Sequence, residues 1–299
     1  MDPMRSRDLR RPYLTVSALA LALLVVVRFT LLRAPGPDIG AAAITTAAQV
    51  ADALIGGMAA SLAIAALFIF AFPQQDESEE TRTLASRQIG SFLRSESDST
   101  REWLIRARTG IYFRARTLGW LGEASTRNNR DIRIRITLLD VRDPDVVRRH
   151  LQYRNSAATG VWDVRRVVLE TCATVLACIV ALERYPRLRI EPALKPDVWV
   201  VSLDLSSQHV LVCGPNTGHP AIVHSSSSAF YDSFRGEFET SFALATRLDL
   251  SVATTHRFES AEHVRRALDD IGLGSAVEGV DECMQIVAMI QAPERSNQY

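Results

Sequence analysis

The chain has 299 residues with 34 basic and 34 acidic side chains, a balance that excludes a global field recruiting nucleic acid or an anionic surface. Apolar residues make up 47% of it, and two segments near the N-terminus are almost wholly apolar. Lys195 is the single lysine, leaving 33 arginines, and with no Gly-Lys-Ser/Thr sequence a phosphate-binding P-loop is excluded.

Residues 1–12, with Arg5, Arg7, Arg10 and Arg11, read as a cytoplasmic tail. Residues 13–32 form an apolar run with one charge, Arg28. At ~1.5 Å per residue such a run covers the ~30 Å hydrocarbon core of a bilayer. A second run, 53–72, has no charge and stops at Pro73. The two together predict a transmembrane hairpin over 13–72. A cleaved signal peptide ending near Ala41-Ala42-Ala43 is the competing reading, but its apolar core exceeds the usual ~7–15 residues. Arginines precede the first run and follow the second (Arg82, Arg87, Arg94), while the connection between them holds only Arg33. The expected location is therefore the inner (plasma) membrane, multi-pass, with both termini cytoplasmic. Gly56 with Ala60, and Gly57 with Ser61, have the small-xxx-small spacing that lets helix backbones approach closely. That face packs the two helices of one chain or joins chains in a homo-oligomer.

Residues 73–100, rich in Ser, Glu and Arg, are expected to be a linker with a short amphipathic helix around Leu84, Ile89, Phe92 and Leu93. A cytosolic domain follows over 101–250, with a C-terminal extension over 251–299. Residues 103–108 read as a short strand, and 111–124 as a helix. Ile132, Ile134, Ile136 and Leu138 alternate with Arg133, Arg135 and Thr137, the period of a strand with one apolar face. Asp143-Pro144 opens the next helix, and 161–184 is a long apolar one. Segments 188–194, 198–205 and 209–213 read as strands, the last two as a hairpin turning at Ser206-Ser207. A helix over 230–246 follows the serine run 225–228. Another, 261–271, is capped by Ser260 and stopped by Gly272, and a final element lies near 282–291. The fold class is α/β: two N-terminal transmembrane helices followed by an α/β domain with a mixed sheet.

Cys172, Cys178, Cys213 and Cys283 form no Cys-x-x-Cys pair and read as buried thiols, with neither a metal site nor a cofactor. The six histidines lack the His-Glu-x-x-His form of a zinc helix. The segment 106–114 is the candidate ligand site. If a helix starts at Ile111, Thr109 and Gly110 sit at its N-terminus, where backbone N–H groups and the helix dipole favour an anion. Arg106 and Arg108, two apart on a strand, would grip that anion from one side. Tyr112 or Trp120 would stack on a base, and Arg114 adds positive charge. Asp140, Arg142, Asp204 and His209 would fall at strand ends near the same edge. A solvated arginine face with a structural glycine is the alternative.

The order of these elements resembles a single half-domain of the phospholipase D superfamily. The likeness rests on the strand ending at Asp140, the turn Asp143-Pro144 and the hairpin before the helix over 230–246. That family's chemistry needs a His-x-Lys motif, which the chain lacks: Leu211 stands two residues after His209, and Ala193 two before Lys195. The resemblance therefore implies a degenerate phospholipase D-like domain, not an enzyme. Two spans before such a body are also similar in layout to the two-helix membrane effectors of bacterial cyclic-nucleotide anti-phage systems. The expected function is a membrane-anchored, non-enzymatic effector or receptor that binds an anionic ligand, a nucleotide signal, and controls the transmembrane helices in antiviral defence. Its expected partners are the lipid bilayer, that ligand and a second copy, with no nucleic acid. The alternatives are a membrane-bound phosphodiesterase with an unconventional site and a membrane scaffold docking a protein partner.

Overall fold

A computed structural model describes residues 19–23, 25–29, 41–71, 81–157, 162–215, 218–254 and 257–293. The chain divides into two units, Met1–Asp76 and Glu77–Tyr299.

In the first unit, the helix α1 (Ala41–Ala71) is rich in alanine, which favours the helix, and has no strongly polar face. The Arg28 guanidinium donates to both carboxylate oxygens of Asp52, at 2.8 and 3.1 Å. Among the described residues, no helix is long and apolar enough to cross a membrane. The first expected span is described only over 19–23 and 25–29. This overturns the transmembrane hairpin over 13–72. With it go the multi-pass inner-membrane location with cytoplasmic termini, the bilayer as partner, and the homo-oligomer joined through the small residues of a span. The tail 1–12, Arg33 and the boundary at Pro73 lie outside the described residues.

The second unit is an α/β body with an eight-stranded mixed sheet in the order β1-β7-β6-β5-β2-β3-β4-β8. Its elements in chain order are β1 (Thr81–Leu84), α2 (Ser86–Ser99), β2 (Glu102–Arg106), a π-helical turn (Phe113–Thr117) running into α3 (Leu118–Arg127), and β3 (Ile132–Leu139). Next come α4 (Pro144–Ala157), α5 (Val164–Arg184), β4 (Leu188–Lys195), β5 (Ser202–Leu205), β6 (His209–Cys213) and β7 (Ala221–Ser225). Then follow α6 (Ala229–Ala243), β8 (Thr246–Arg247), α7 (Ala261–Asp270) and α8 (Val280–Gln291). Strands β2, β3 and β4 are parallel, joined by helical crossovers, while β5, β6, β7 and β1 continue the sheet antiparallel from β2. The expected α/β class with a mixed sheet is present without its membrane part.

The alternation read in 132–138 works out in β3. Ile132, Ile134, Ile136 and Leu138 are fully buried in the main core beside Trp103 and Ile105 of β2 and the apolar stripe of α5, including Val167, Cys172, Val175 and Leu176. The opposite face packs Leu104, Leu203, Leu205 and Val210 against Tyr231, Phe238 and Phe242 of α6. Arg135, on this second face, is buried as well, because Glu102 (2.8 Å) and Glu239 of α6 neutralise it. Ser260 caps α7, accepting a hydrogen bond from His263 N–H, and Gly272 follows that helix at φ +77°.

Three strands carry no signal of their own in the sequence. Residues 81–84, inside the stretch expected as a linker, form the edge strand β1 on β7, and β7 stands between the hairpin and α6. In β8, a two-residue edge is held by Ala193 and Leu194 of β4. After residue 250, Val264, Leu268, Cys283 and Ile286 belong to the main core.

Candidate functional site

Strand β2 is the seam of the sheet, with parallel β3 on one side and antiparallel β5 on the other. The connections leaving the two halves diverge there, and the crevice outside the carboxyl end of such a strand is where open α/β sheets hold ligands. A cavity of about 240 Å³ lies at this place. Its floor is Ile105, Ala107 and Arg108 at the end of β2, with Ser202 and Asp204 of β5 and Cys213 at the end of β6. Ile89, Gly90 and Leu93 of α2 cover one side, His150 and Arg154 of α4 another, and Thr109 to Phe113 open the helix at its edge.

Gly110 makes this corner possible. Its φ is +73°, a conformation that side chains with a Cβ rarely adopt, and an added Cβ would lie 2.6 Å from Thr174 Cγ2 of α5. The Thr174 hydroxyl donates to the Thr109 carbonyl at 2.7 Å, pinning the turn to α5. The first helical bond then runs from Arg114 N–H to the Gly110 carbonyl, 2.9 Å. The N–H groups of 111–113 therefore precede the helix's own ladder, at the cavity edge.

Asp204 reaches the cavity from β5. Its carboxylate accepts from the Trp103 indole N–H at 3.1 Å, and burial pushes its pKa up to about 6 against that one favourable bond. Tyr112 lies close enough for the Asp204 charge to add to the effect of burial in raising the phenol's pKa. Burial raises the Cys213 thiol to about 12, with Asp204 pushing the same way and Arg108 opposing.

At the α4 side, His150 is 1% exposed, and its Nδ1 has no hydrogen-bond partner. Burial, then the charges of Arg108 and Arg154, hold its pKa down at about 4, so the ring is neutral. Arg108 donates to the Val200 carbonyl and, at 3.4 Å, to Ser202 Oγ, and lies over the Tyr153 ring. Arg154 stacks on Trp162 at 4.0 Å from the ring centre.

The residues singled out in the sequence divide. Arg108, Thr109, Gly110 and Tyr112 line the cavity. Arg106 does not join Arg108: the strand sends it to the α6 face, where it pairs with Glu237. Arg114 is buried in an ion pair with Glu170 of α5 at 2.5 Å. Asp140 pairs with Arg142 at 2.7 Å at the end of β3. His209 lies 3.1 Å from Glu96 at the opposite end of the strands, since Val210 pairs with Leu205 and Leu205 with Leu104, near the start of β2. The shared edge expected for Asp140 and His209 is therefore not formed. Asp204, expected near that edge, does line the cavity, while His150 and Arg154 were outside the expected set. Their trace in the sequence is slight: His150 and Arg154 are four apart on one helix. Among the described residues, no group of three or more His, Cys, Asp or Glu side chains is placed to hold a metal ion.

No protein-family model matches the chain, and no curated protein does. Among solved structures, that of the archaeal chromatin protein TrmBL2, described as showing a novel mode of DNA binding, is similar over 75% of this chain and 80% of that one. Identity is 10% and the TM-score 0.34, too low to bear on what this chain binds. The resemblance to the phospholipase D superfamily is overturned. No span precedes the body among the described residues, and β7 interrupts the hairpin-to-helix order on which it rested. The anti-phage effector loses its two helices in the same way. So does the membrane-anchored receptor whose anionic or nucleotide ligand controls those helices. Both alternatives, the membrane phosphodiesterase and the membrane scaffold, presupposed the same anchor. The expected exclusion of nucleic acid as a partner is not carried forward.

Proposed function

We propose that the α/β body is a non-catalytic binding domain whose small-molecule ligand occupies the cavity at the carboxyl end of β2. The observation that carries this reading is His150, a fully buried imidazole in the cavity wall with an unmatched Nδ1. Such a buried nitrogen costs roughly 1–3 kcal/mol unless something meets it, and a ligand's polar atom does so. Asp204 supports the reading from the other side, as a desolvated carboxyl with a single indole donor. The lining is otherwise apolar with a few convergent polar groups, the make-up of ligand sites in general, and its volume suits a ligand of one or two rings. The Cys213 thiol, at about 12, is no thiolate near neutrality, and His150, at about 4, is no base poised there, which leaves Asp204, at about 6, without an activated thiol or a histidine base beside it.

The test is a small-molecule fragment screen on the full-length protein by thermal unfolding, repeated on Gly90→Leu. A Cβ at Gly90 points at the Tyr112 hydroxyl, 3.2 Å away, so leucine fills the cavity from α2. A ligand at 100 times its Kd stabilises by about 2.7 kcal/mol. Fragments that stabilise the wild type and lose their effect in Gly90→Leu are expected. Hits insensitive to that substitution, or no hits at all, would refute the reading.

A further inference from the structure

Asp204 of β5 and His150 of α4 line one cavity, and each keeps hydrogen-bonding capacity that the folded chain leaves unused. Asp204 Oδ1 accepts from the Trp103 indole, while Oδ2 takes no hydrogen bond among the described residues. His150 Nδ1 is buried and also has no partner among them. A neutral imidazole nitrogen donates or accepts according to its tautomer, so this group can answer either kind of atom. Charges of both signs reach the same place, since the Cys213 thiol feels Asp204 and Arg108 together. Ile89, Leu93, Ile105 and Phe113 supply the apolar wall.

Resting on the binding-domain reading, we infer that the ligand is a small, uncharged nitrogen heterocycle: a ring N–H donates to Asp204 Oδ2, a second polar atom meets His150 Nδ1, and the ring lies on the apolar wall. The cavity's own groups argue for a neutral molecule. A cation would come beside Arg108 and an anion beside Asp204, and out of water either like-charge approach is costly. A pure hydrocarbon meets neither Oδ2 nor Nδ1. The ligand must therefore donate a hydrogen bond without carrying a formal charge. An alkyl amine cannot, being protonated near neutrality. The N–H of an aromatic ring stays uncharged, and it is carried on a flat body that suits the wall of Ile105 and Phe113.

Isothermal titration of the full-length protein with benzimidazole and quinazolin-4-one, at a pH where both are uncharged, tests the inference. Their N-methyl forms remove the donor, indole lacks the second polar atom, and benzylamine and benzoate bring the two charges at similar size. At least one heterocycle is expected to bind about tenfold or more tightly than its N-methyl form and than either charged compound, the worth of one hydrogen bond to a carboxylate. In Asp204→Asn, Trp103 holds the remaining oxygen and an amide N–H group stands in place of Oδ2, so that preference should disappear. His150→Leu gives a second reading: the advantage of the heterocycle over indole should close there, while the preference over the N-methyl form remains. A preference that persists in Asp204→Asn overturns the inference, as does an advantage over indole that persists in His150→Leu, or an N-methyl or charged compound that binds as well as the heterocycles. If neither heterocycle binds while cavity-dependent fragments do, the ligand class is wrong and the binding domain stands. If nothing binds in either experiment, both fail.

Discussion

The Trp103 indole N–H donates to the Asp204 carboxylate across the antiparallel pair of β2 and β5, at 3.1 Å and on a diagonal, since Asp204 itself lies opposite Ile105. This contact holds the carboxyl on the face of the sheet that packs on α2 and α5, a polar group in an apolar neighbourhood of Ile105 and Leu93.

Asp204 is expected to make the fold less stable as pH rises from about 4 to about 6. Its pKa is 3.8 in the unfolded chain and about 6 in the folded one, so in that window the native state holds the extra proton. The contribution is fully present below the lower value and lost through the upper. At ~1.36 kcal/mol per pH unit it is bounded by about 3 kcal/mol, and contact with the cavity makes the real figure smaller. Urea unfolding of the wild type and Asp204→Asn from pH 4 to 7.5 reads it: the variant should gain on the wild type as pH rises. Parallel curves would show that the carboxyl is not desolvated.

Gly110→Ala should destabilise the body by about 2–5 kcal/mol, combining ~1–2 kcal/mol for the left-handed backbone with ~1–3 kcal/mol for overpacking. The overpacked partner is Thr174 Cγ2, 2.6 Å from the new Cβ. Thr174→Ser removes that methyl and keeps the hydroxyl that donates to the Thr109 and Glu170 carbonyls. The double variant should recover the steric part and leave the backbone part, measured as a partial return of the denaturation midpoint.

Arg114→Met should cost about 3–5 kcal/mol, because Glu170, 2% exposed, is left as an uncompensated buried charge. Replacing both, Arg114→Met with Glu170→Leu, should restore most of the loss. A double variant as unstable as the single would mean that the guanidinium's bonds to the Glu170 carbonyl (2.9 Å) and the Thr174 hydroxyl (3.2 Å) outweigh the pair itself.

Glu96 has the opposite pH sign to Asp204. Burial raises its pKa, but the bonds from His209 and Ser206 and the charges of His209 and Arg82 outweigh that and hold it below the ordinary glutamate value of 4.5. Its stabilisation is therefore present above that value and lost as pH falls through the depressed one. Glu96→Gln should destabilise at pH 7 by roughly 1–3 kcal/mol, with the difference shrinking on acidification below pH 4. Chemical denaturation at the two pH values decides it.

Local chemistry in the sequence was enough for the elements that carry their own pattern. The isoleucines of β3 announce a strand, Pro144 opens α4, and Ser260 and Gly272 bound α7, because each acts on its own few residues of backbone. The glycine at the cavity corner is legible for the same reason, its conformation being a local demand. Apolarity alone misled at the N-terminus. Two greasy runs satisfy a count of residues, while no described helix is long and apolar enough to span a bilayer.

Tertiary structure decided the rest. Strands β1, β7 and β8 are short and draw their stability from partners, Thr81 pairing with His224 across 143 residues of chain. The same holds for the site. Nothing in the spacing of Arg106 and Arg108 shows that one turns to Glu237 of α6 and the other to the cavity. His150 and Asp204 become parts of one pocket through the packing of α4 and β5 around β2. The sequence by itself determined the α/β alternation, the helix stops and the absence of familiar catalytic motifs. Which charges are buried, which are paired and which face a cavity depends on atoms distant in sequence, and only the folded chain brings those together.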